Sequence, residues 1–499
     1  MNQPSTLFEA LRTFLALRGC APLVAIMALA ATIPDSSVAA GKAGDGKADE
    51  GFAAARPCSN GKSKGRDCNE REKLTGEELF RKPFPGTNGR TCASCHVPED
   101  NFTLTPAHVE RLLRENPKDP LFSAIDSDDP NAKPLTFDHL RKGLIRVWLK
   151  LPDNMDLIGE GGNVTTPPDR KIFVWRAVPS IADVALTAPY QLDGREATLE
   201  QQAQGAVTSH SEGGTVSRRE LERIANFEWS VFSSERARWV AHGAGGEVDN
   251  ALVLTPAEAR GRKVYKATCE SCHGGGSKTT IMNRAVHDLA FPALEADGTV
   301  VFKVPATKPE TVVYAAQPRN EFINIGSVFE NYLAHMGQTE HVSFTEDLTF
   351  PMYRFRFYKN ASRKQIIAEL PPALPPEDPF LPRDDSDGNP IQGPNFGPQL
   401  YTTDPGRAAI TGNPYDFEGF DIPTLRGIAK TAPYWHNNIS ATLEEVVSLY
   451  SDHLFAKFPP FQINDGQGAP QNDPDDPQGA TEFLSEQQKS DLVAFLKRL

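Results

Sequence analysis

Apolar residues along the chain recur mostly three and four positions apart, the spacing of one helix face. That pattern predicts helices over Thr105–Arg114, Phe137–Leu149, Ser217–His242, Pro256–Thr268 and Ser485–Arg498. Two more are signalled by capping boxes, Thr198 to Gln201 and Thr442 to Glu445. There a hydroxyl and a side chain three residues on satisfy the first free backbone N–H groups. Strictly alternating runs are sparse, so the expected fold is mainly α. With 41 Pro and 38 Gly, long irregular loops should join the helices.

One apolar stretch is of another kind. Ala21–Ile33 follows Arg12 and Arg18 and precedes the small residues Val38-Ala39-Ala40. This is the layout of an export signal, so residues 1–40 are expected to be a signal peptide and the mature chain periplasmic. An uncleaved anchor is the alternative. No later segment reaches about 18 apolar residues, so no stable membrane insertion is expected. Residues 41–71, rich in Gly, Lys and Asp, read as a flexible lead-in.

Composition narrows the class. The 499 residues are 39% hydrophobic and 23% charged, an ordinary globular balance with room for two to four domains. Lys plus Arg number 52 against 65 Asp plus Glu, and a net charge of −13 argues against nucleic acid as a partner. Cysteine numbers only 7. Cys20 lies in the signal, and Cys58 and Cys68 in the lead-in should pair in an oxidising compartment.

The other four cysteines carry the chemistry. Cys92-Ala93-Ser94-Cys95-His96 and Cys269-Glu270-Ser271-Cys272-His273 are both C-x-x-C-H, the attachment motif of c-type haem. Two thiols at this spacing reach the two vinyl groups on one porphyrin edge, and the following imidazole falls under the iron. Two covalent haem c groups are therefore expected, with His96 and His273 as proximal ligands. A zinc site would need further ligand pairs, and the sequence offers none of matching spacing.

The chain also repeats itself after each motif. Pro179–Ala203 and Pro423–Val447 align without gaps and share ten of twenty-five residues, including the runs TAPY and ATLE. Two tandem, cytochrome c-like haem domains follow, residues 72–245 and 246–499. The second is longer by some seventy residues, an insertion around 300–410. Within it Pro371–Pro405 carries ten prolines, an extended surface loop that is either a plain connector or a cover over a haem edge or docking surface.

These residues resemble the bacterial di-haem cytochrome c peroxidase family, which includes MauG. The likeness rests on both haem motifs, on NGRTCASCH (Asn88–His96), on DGR-x-x-x-L-x-x-QA (Asp193–Ala203), and on TAPYWH followed by a helix. It implies that the N-terminal haem reacts with peroxide and the C-terminal haem handles electrons. It implies Gln202 on the open face of the first haem and Glu212, ten residues on, as acid–base group. The SHSEGG setting of Glu212 departs from the family's usual neighbours. No His stands between His139 and His210, so the resemblance gives the first iron no sixth ligand.

For the second haem the resemblance implies a ligand fourteen residues after His436, which is Tyr450, where reductively activated peroxidases place Met. His453, one turn on, is the competing ligand. Leu192 stands where the family often has an inter-haem Trp, leaving Trp435 or a direct jump as the electron route. Ala177 replaces an Asn of the family's calcium site. The backbone oxygens of Thr431 and Pro433 remain, so calcium is possible.

The expected function is peroxide reduction with electrons from a small donor protein, a c-type cytochrome or cupredoxin. Glu212 would move the peroxide proton and Gln202 would hold the peroxide. The alternatives are a MauG-like oxidase acting on a protein side chain and a non-catalytic di-haem electron carrier.

Overall fold

The computed structural model describes residues 71–279, 293–294, 300–301, 322–325, 327–328, 331, 343–371, 401–451 and 484–499. The expected signal, all but the last residue of the lead-in, the Cys58–Cys68 pair, most of the proline-rich loop and His453 lie outside them.

Each attachment motif is bracketed by a pair of crossing helices. In the first half Thr75 caps the short helix Gly76–Phe80, which crosses Arg218–Trp229. In the second, Thr255 caps Pro256–Ala267, which crosses the C-terminal helix Glu486–Leu496. Both crossings turn on a glycine. A methyl group at Gly76 would run into the carbonyl of Arg223 and the Phe227 side chain, and one at Gly261 into Asp491 and Phe495. The lead helices then present Leu79–Phe80 and Val264–Tyr265 to their own apolar clusters. One Gly-to-aromatic pattern thus serves both halves.

The two repeat blocks fold alike. Asp183 and Gly427 take equivalent left-handed φ values of 66° and 69°, each followed by a 3-10 turn, Val184–Leu186 and Ile428–Lys430. Tyr190 bridges Glu196, and Tyr434 bridges Ser440. Gln191 and Trp435 share positive φ values of 72° and 77°. Thr198 then launches the helix Leu199–Ser209 and Thr442 launches Leu443–Ser448, as the capping signals predicted. The blocks also meet. Ser233 N–H donates to Asp183 Oδ1 at 2.9 Å, and the Gly427 Cα lies against the Ser233 side chain, with no room for a methyl.

Two helix expectations are corrected. Phe137–Leu149 is only a short helix, Asp138–Arg141, and Gly143 ends it at φ 79°. The apolar run then extends as the strand Leu144–Lys150, pairing antiparallel with Lys171–Ala177. Both strands are rich in β-branched and aromatic residues, which pack better on a pleated surface than on a helix. Ser217–His242 is not one helix but two, Arg218–Trp229 and Glu235–Ala241, broken where Ser234 caps the second and Asp183 holds Ser233.

The described part of the insertion is not only loop. Phe355–Tyr358 lies between Met155–Leu157 and Ile366–Leu370 in a three-stranded antiparallel sheet. Phe355, Phe357, Ala368 and Leu370 join the apolar cluster built on Val97, Leu104, Val109 and Val174. The insertion is therefore part of the core of the first half. The fold is mainly α with some sheet, and no described helix is long and apolar enough to cross a membrane.

Candidate functional site

The first motif is a capped turn of helix. Thr91 accepts from Ser94 N–H, Ser94 Oγ accepts from Thr91 N–H, and His96 N–H returns to the Cys92 carbonyl at 2.9 Å. The His96 ring sets its Nδ1 3.1 Å from the Phe102 carbonyl, and the Pro179 carbonyl also bonds the ring. A carbonyl only accepts, so Nδ1 carries the proton and Nε2 keeps a free lone pair for a metal.

The second motif repeats this. His273 N–H bonds the Cys269 carbonyl at 2.8 Å, and its Nδ1 meets the carbonyls of Lys278 and Pro423, each at 3.1 Å. Pro179 and Pro423 are the first residues of the two repeat blocks. The repeat therefore supplies each proximal imidazole with its orienting carbonyl, which sequence reasoning missed. Tyr265 Oη anchors the His273 carbonyl from below.

The cysteines suit attachment and not thiolate chemistry. Burial pushes Cys95 and Cys269 up to about 11 and Cys272 up to about 12, whereas a redox C-x-x-C needs a lowered value. All four are free, and each keeps some accessible surface although set deep in the chain. They face internal space where a porphyrin edge would lie. His436 fits the same group. Its ring is buried, stacked on Phe420 at 4.1 Å, and its Nε2 finds no hydrogen-bond partner.

Gln202 lies in the helix Leu199–Ser209, partly buried, its side-chain amide making no hydrogen bond to another described residue. Glu212 lies past the helix end at φ 52°, exposed, accepting from Asn88 Nδ2 at 3.0 Å. Asn88 also donates to the His210 carbonyl at 3.1 Å, so the loop leading into the first motif grips the segment carrying Glu212.

Tyr450 sits at the end of the Leu443–Ser448 helix, where residues 449–451 widen into a π turn, a distortion frequent at functional sites. Burial pushes its phenol up, and the thiols of Cys272 and Cys269 add to the shift. Tyr450 and the second motif therefore share one space. The Trp435 ring lies beside it.

Between the blocks runs a buried ion cluster. Arg176 pairs with both oxygens of Asp404, at 2.7 and 2.9 Å, and with Asp193 at 2.5 Å. Burial alone would raise the Asp193 carboxyl, but Arg176 and Arg195 hold it below the usual range. Ala177 N–H donates to the His436 carbonyl at 2.7 Å, and Leu192 accepts from Asp421 N–H at 2.8 Å. Among the described residues no cluster of three His, Cys, Asp or Glu forms a metal site.

Residues 70–232 match the family described as di-haem cytochrome c peroxidase. A cytochrome-c peroxidase of Denitromonas iodatirespirans, IdrP2, is 37% identical over 97 residues, 19% of this chain and 21% of that protein. IdrP1 of the same organism is 37% identical over 89 residues, 18% and 20% of the two chains. The chain thus spans about a fifth of the length of the curated relatives it matches. A MauG-like protein associated with microbial copper homeostasis has similar structure at 22% identity, over 89% of this chain and 90% of that one, with a TM-score of 0.35. The diheme peroxidase BthA from Burkholderia thailandensis is similar at 16% identity over 84% of each chain, TM-score 0.33. Superpositions this loose fix no fold. The segment matching the di-haem cytochrome c peroxidase family thus contains the first C-x-x-C-H motif, and a second such motif lies beyond it in the chain.

Proposed function

We propose that this chain is an exported di-haem peroxidase, reducing hydrogen peroxide at a haem c held by Cys92, Cys95 and His96. A second haem c, held by Cys269, Cys272 and His273, relays electrons or oxidising equivalents. The carrying observation is the pair of motif imidazoles, each with Nδ1 3.1 Å from a backbone carbonyl, Phe102 at His96 and both Lys278 and Pro423 at His273, which leaves Nε2 as the nitrogen for a metal. When bound, haem supplies an iron that takes peroxide as a ligand and a ring that passes electrons.

The chain's own groups do the rest. Gln202 holds the peroxide by its amide, and Glu212 takes the proton from the near oxygen and returns it to the far one, so that water leaves. Tyr450 would be a second protein ligand to the iron held by His273, a hard anionic oxygen that favours oxidised iron. Its nearness to Cys269 and Cys272 supports this. Tyr450 also favours a second reading, a MauG-like oxidase using the same chemistry on a protein side chain. A small c-type cytochrome or cupredoxin would be the electron donor, in the periplasm, with calcium as an optional structural ion.

The test is direct. A pyridine haemochrome assay on the denatured protein should return two haems that acid acetone does not extract. The all-ferric protein should react with peroxide without prior reduction. One haem, or a protein inert to peroxide, overturns the proposal. Inertness with both irons six-coordinate would indicate an electron carrier.

A further inference from the structure

We infer that His210 is a second proton-handling group on the open face of the first haem, set deeper than Glu212. The inference rests on the peroxidase reading above. Nothing in the family resemblance points to this residue.

Gln202, Ala206 and His210 follow one another at four-residue spacing along the helix Leu199–Ser209 and its C-cap, so they share one face. Leu199, Ala203 and Val207 are buried on the neighbouring face, the last two in the apolar cluster with Leu79 and Phe80. The stripe that carries Gln202 therefore also carries His210, two turns on.

His210 is fixed to the attachment motif. Its N–H returns to the Ala206 carbonyl at 2.9 Å, and its carbonyl accepts from Asn88 Nδ2 at 3.1 Å and Arg90 Nη1 at 3.4 Å. Asn88 and Arg90 immediately precede Cys92–His96 in the chain. Arg90 is itself locked by Asp126 at 2.5 Å and by the carbonyls of Pro120 and Leu121 at 2.9 and 2.6 Å. The backbone of His210 can shift little against the motif without breaking that set.

The ring makes no hydrogen bond to another described residue, yet it keeps accessible surface. Its exposure is intermediate, like that of Cys92, Cys95 and His96. The charges that bear on it are Asp126, Arg90, Arg195 and His96, which places the two imidazoles in one electrostatic environment. Burial, the largest influence, holds His210 down to about 4. At neutral pH it is an uncharged imidazole with one lone pair and one N–H, able to accept a proton and to donate one. Glu212, by contrast, is exposed and already accepts from Asn88.

The step balances with the electron donor as the further reactant. Hydrogen peroxide brings two protons. The one on the inner oxygen passes through His210 to Glu212, and Glu212 returns it to the outer oxygen. The O–O bonding pair would leave with the outer oxygen as the first water, and the inner oxygen, left two electrons short, would leave as a second water once the electron donor supplies two electrons and solvent two protons. Glu212 lies where the site meets solvent and exchanges protons there.

The test uses the holoprotein and its His210→Gln, His210→Ala and Glu212→Gln variants, with haem content checked by pyridine haemochrome. Carbon monoxide on the reduced first haem reads its neighbours through the C–O stretch, apart from turnover. An imidazole N–H beside the bound molecule lowers that frequency. His210→Ala should raise it and slow the peroxide step about 10²–10⁴-fold. Glu212→Gln should leave the band where it is. An unmoved band in both His210 variants, with two haems present, overturns the assignment and leaves the peroxidase reading standing. If His210→Ala converts a low-spin first haem to high-spin, His210 is an iron ligand, and the proton role is equally overturned. Wild-type protein inert to peroxide would sink the peroxidase reading itself.

Discussion

The Trp435 indole lies 5.0 Å from the Tyr450 ring, centre to centre, at a tilt of 33°. Trp435 is held there by a 2.8 Å bond from its Nε1 to Ser440 Oγ and by a backbone at φ 77°. A rigid aromatic wall thus backs the tyrosine proposed as the second haem's ligand. If Tyr450 ligates, Tyr450→Met should raise the potential of that haem, because a thioether favours ferrous iron and a phenolate disfavours it. Tyr450→Phe should abolish the low-spin ferric signal in electron paramagnetic resonance. An unchanged signal points to His453.

The helix crossing at Gly261 has no slack. Gly261→Ala pushes a methyl into the backbone of Asp491 and toward Phe495, neither of which can swing aside. Overpacking of this kind costs about 1–3 kcal/mol, and more where backbone must move. The variant should melt several degrees lower and incorporate less of the second haem. Differential scanning calorimetry and haem content check both. An unchanged melting temperature would show that the C-terminal helix is free to slide.

What could be read from the sequence was local. The repeat and the helix starts at Thr198 and Thr442 rest on short runs of residues, and both fold as read, although Glu445 accepts from Ala441 N–H and so leaves the second capping box half closed. Leu144–Lys150 could not be read as a strand, because its apolar run suits either period until Lys171–Ala177 arrives as a partner. Nor could the carbonyls of Pro179 and Pro423 be seen under the proximal imidazoles, since prolines in the sequence carry no sign of what their carbonyls meet. Ser233 between Asp183 and Gly427 is likewise visible only once both blocks are folded. The aligned repeat was the available clue, and equivalent positions were the place to look.

Arg176 holds chain segments far apart in sequence. Its guanidinium serves Asp193 in the first repeat block and Asp404 near the end of the insertion, and all three side chains are buried. Removing one member leaves buried charge without its partner, which costs about 3–5 kcal/mol. Arg176→Met should lower the melting temperature sharply, whereas Arg195→Met, at the partly exposed margin of the cluster, should do much less. Thermal unfolding of the two variants side by side makes the comparison. Equal effects would mean that the cluster does not act through Asp404.

Glu228 should set a pH dependence of stability. It stands in the last turn of the helix Arg218–Trp229, 3% exposed, and its Oε2 finds no hydrogen-bond partner. Burial, and then the nearby charge of Glu200, push its carboxyl from 4.5 up to about 8. Between those two values the folded chain keeps the proton and the unfolded chain has lost it. The folded state then binds more protons, so stability falls as pH rises, by about 1.36 kcal/mol per unit. The loss begins above the unfolded value and is complete once pH passes the folded one, on the order of 5 kcal/mol in all. This is the reverse of a paired surface carboxylate, which stabilises as pH rises. Glu228→Gln keeps the shape and removes the charge change. It should match wild type near pH 5 and become the more stable protein toward pH 8. Melting curves of both holoproteins from pH 5 to pH 9 test this, and parallel curves across that range would refute it. The charge also reaches the first attachment motif, because Glu228 acts electrostatically on Cys92. Ionisation there places a negative charge beside the porphyrin edge and stabilises ferric over ferrous iron. The first haem's potential should therefore fall as pH crosses the Glu228 transition in wild type, and that step should vanish in Glu228→Gln.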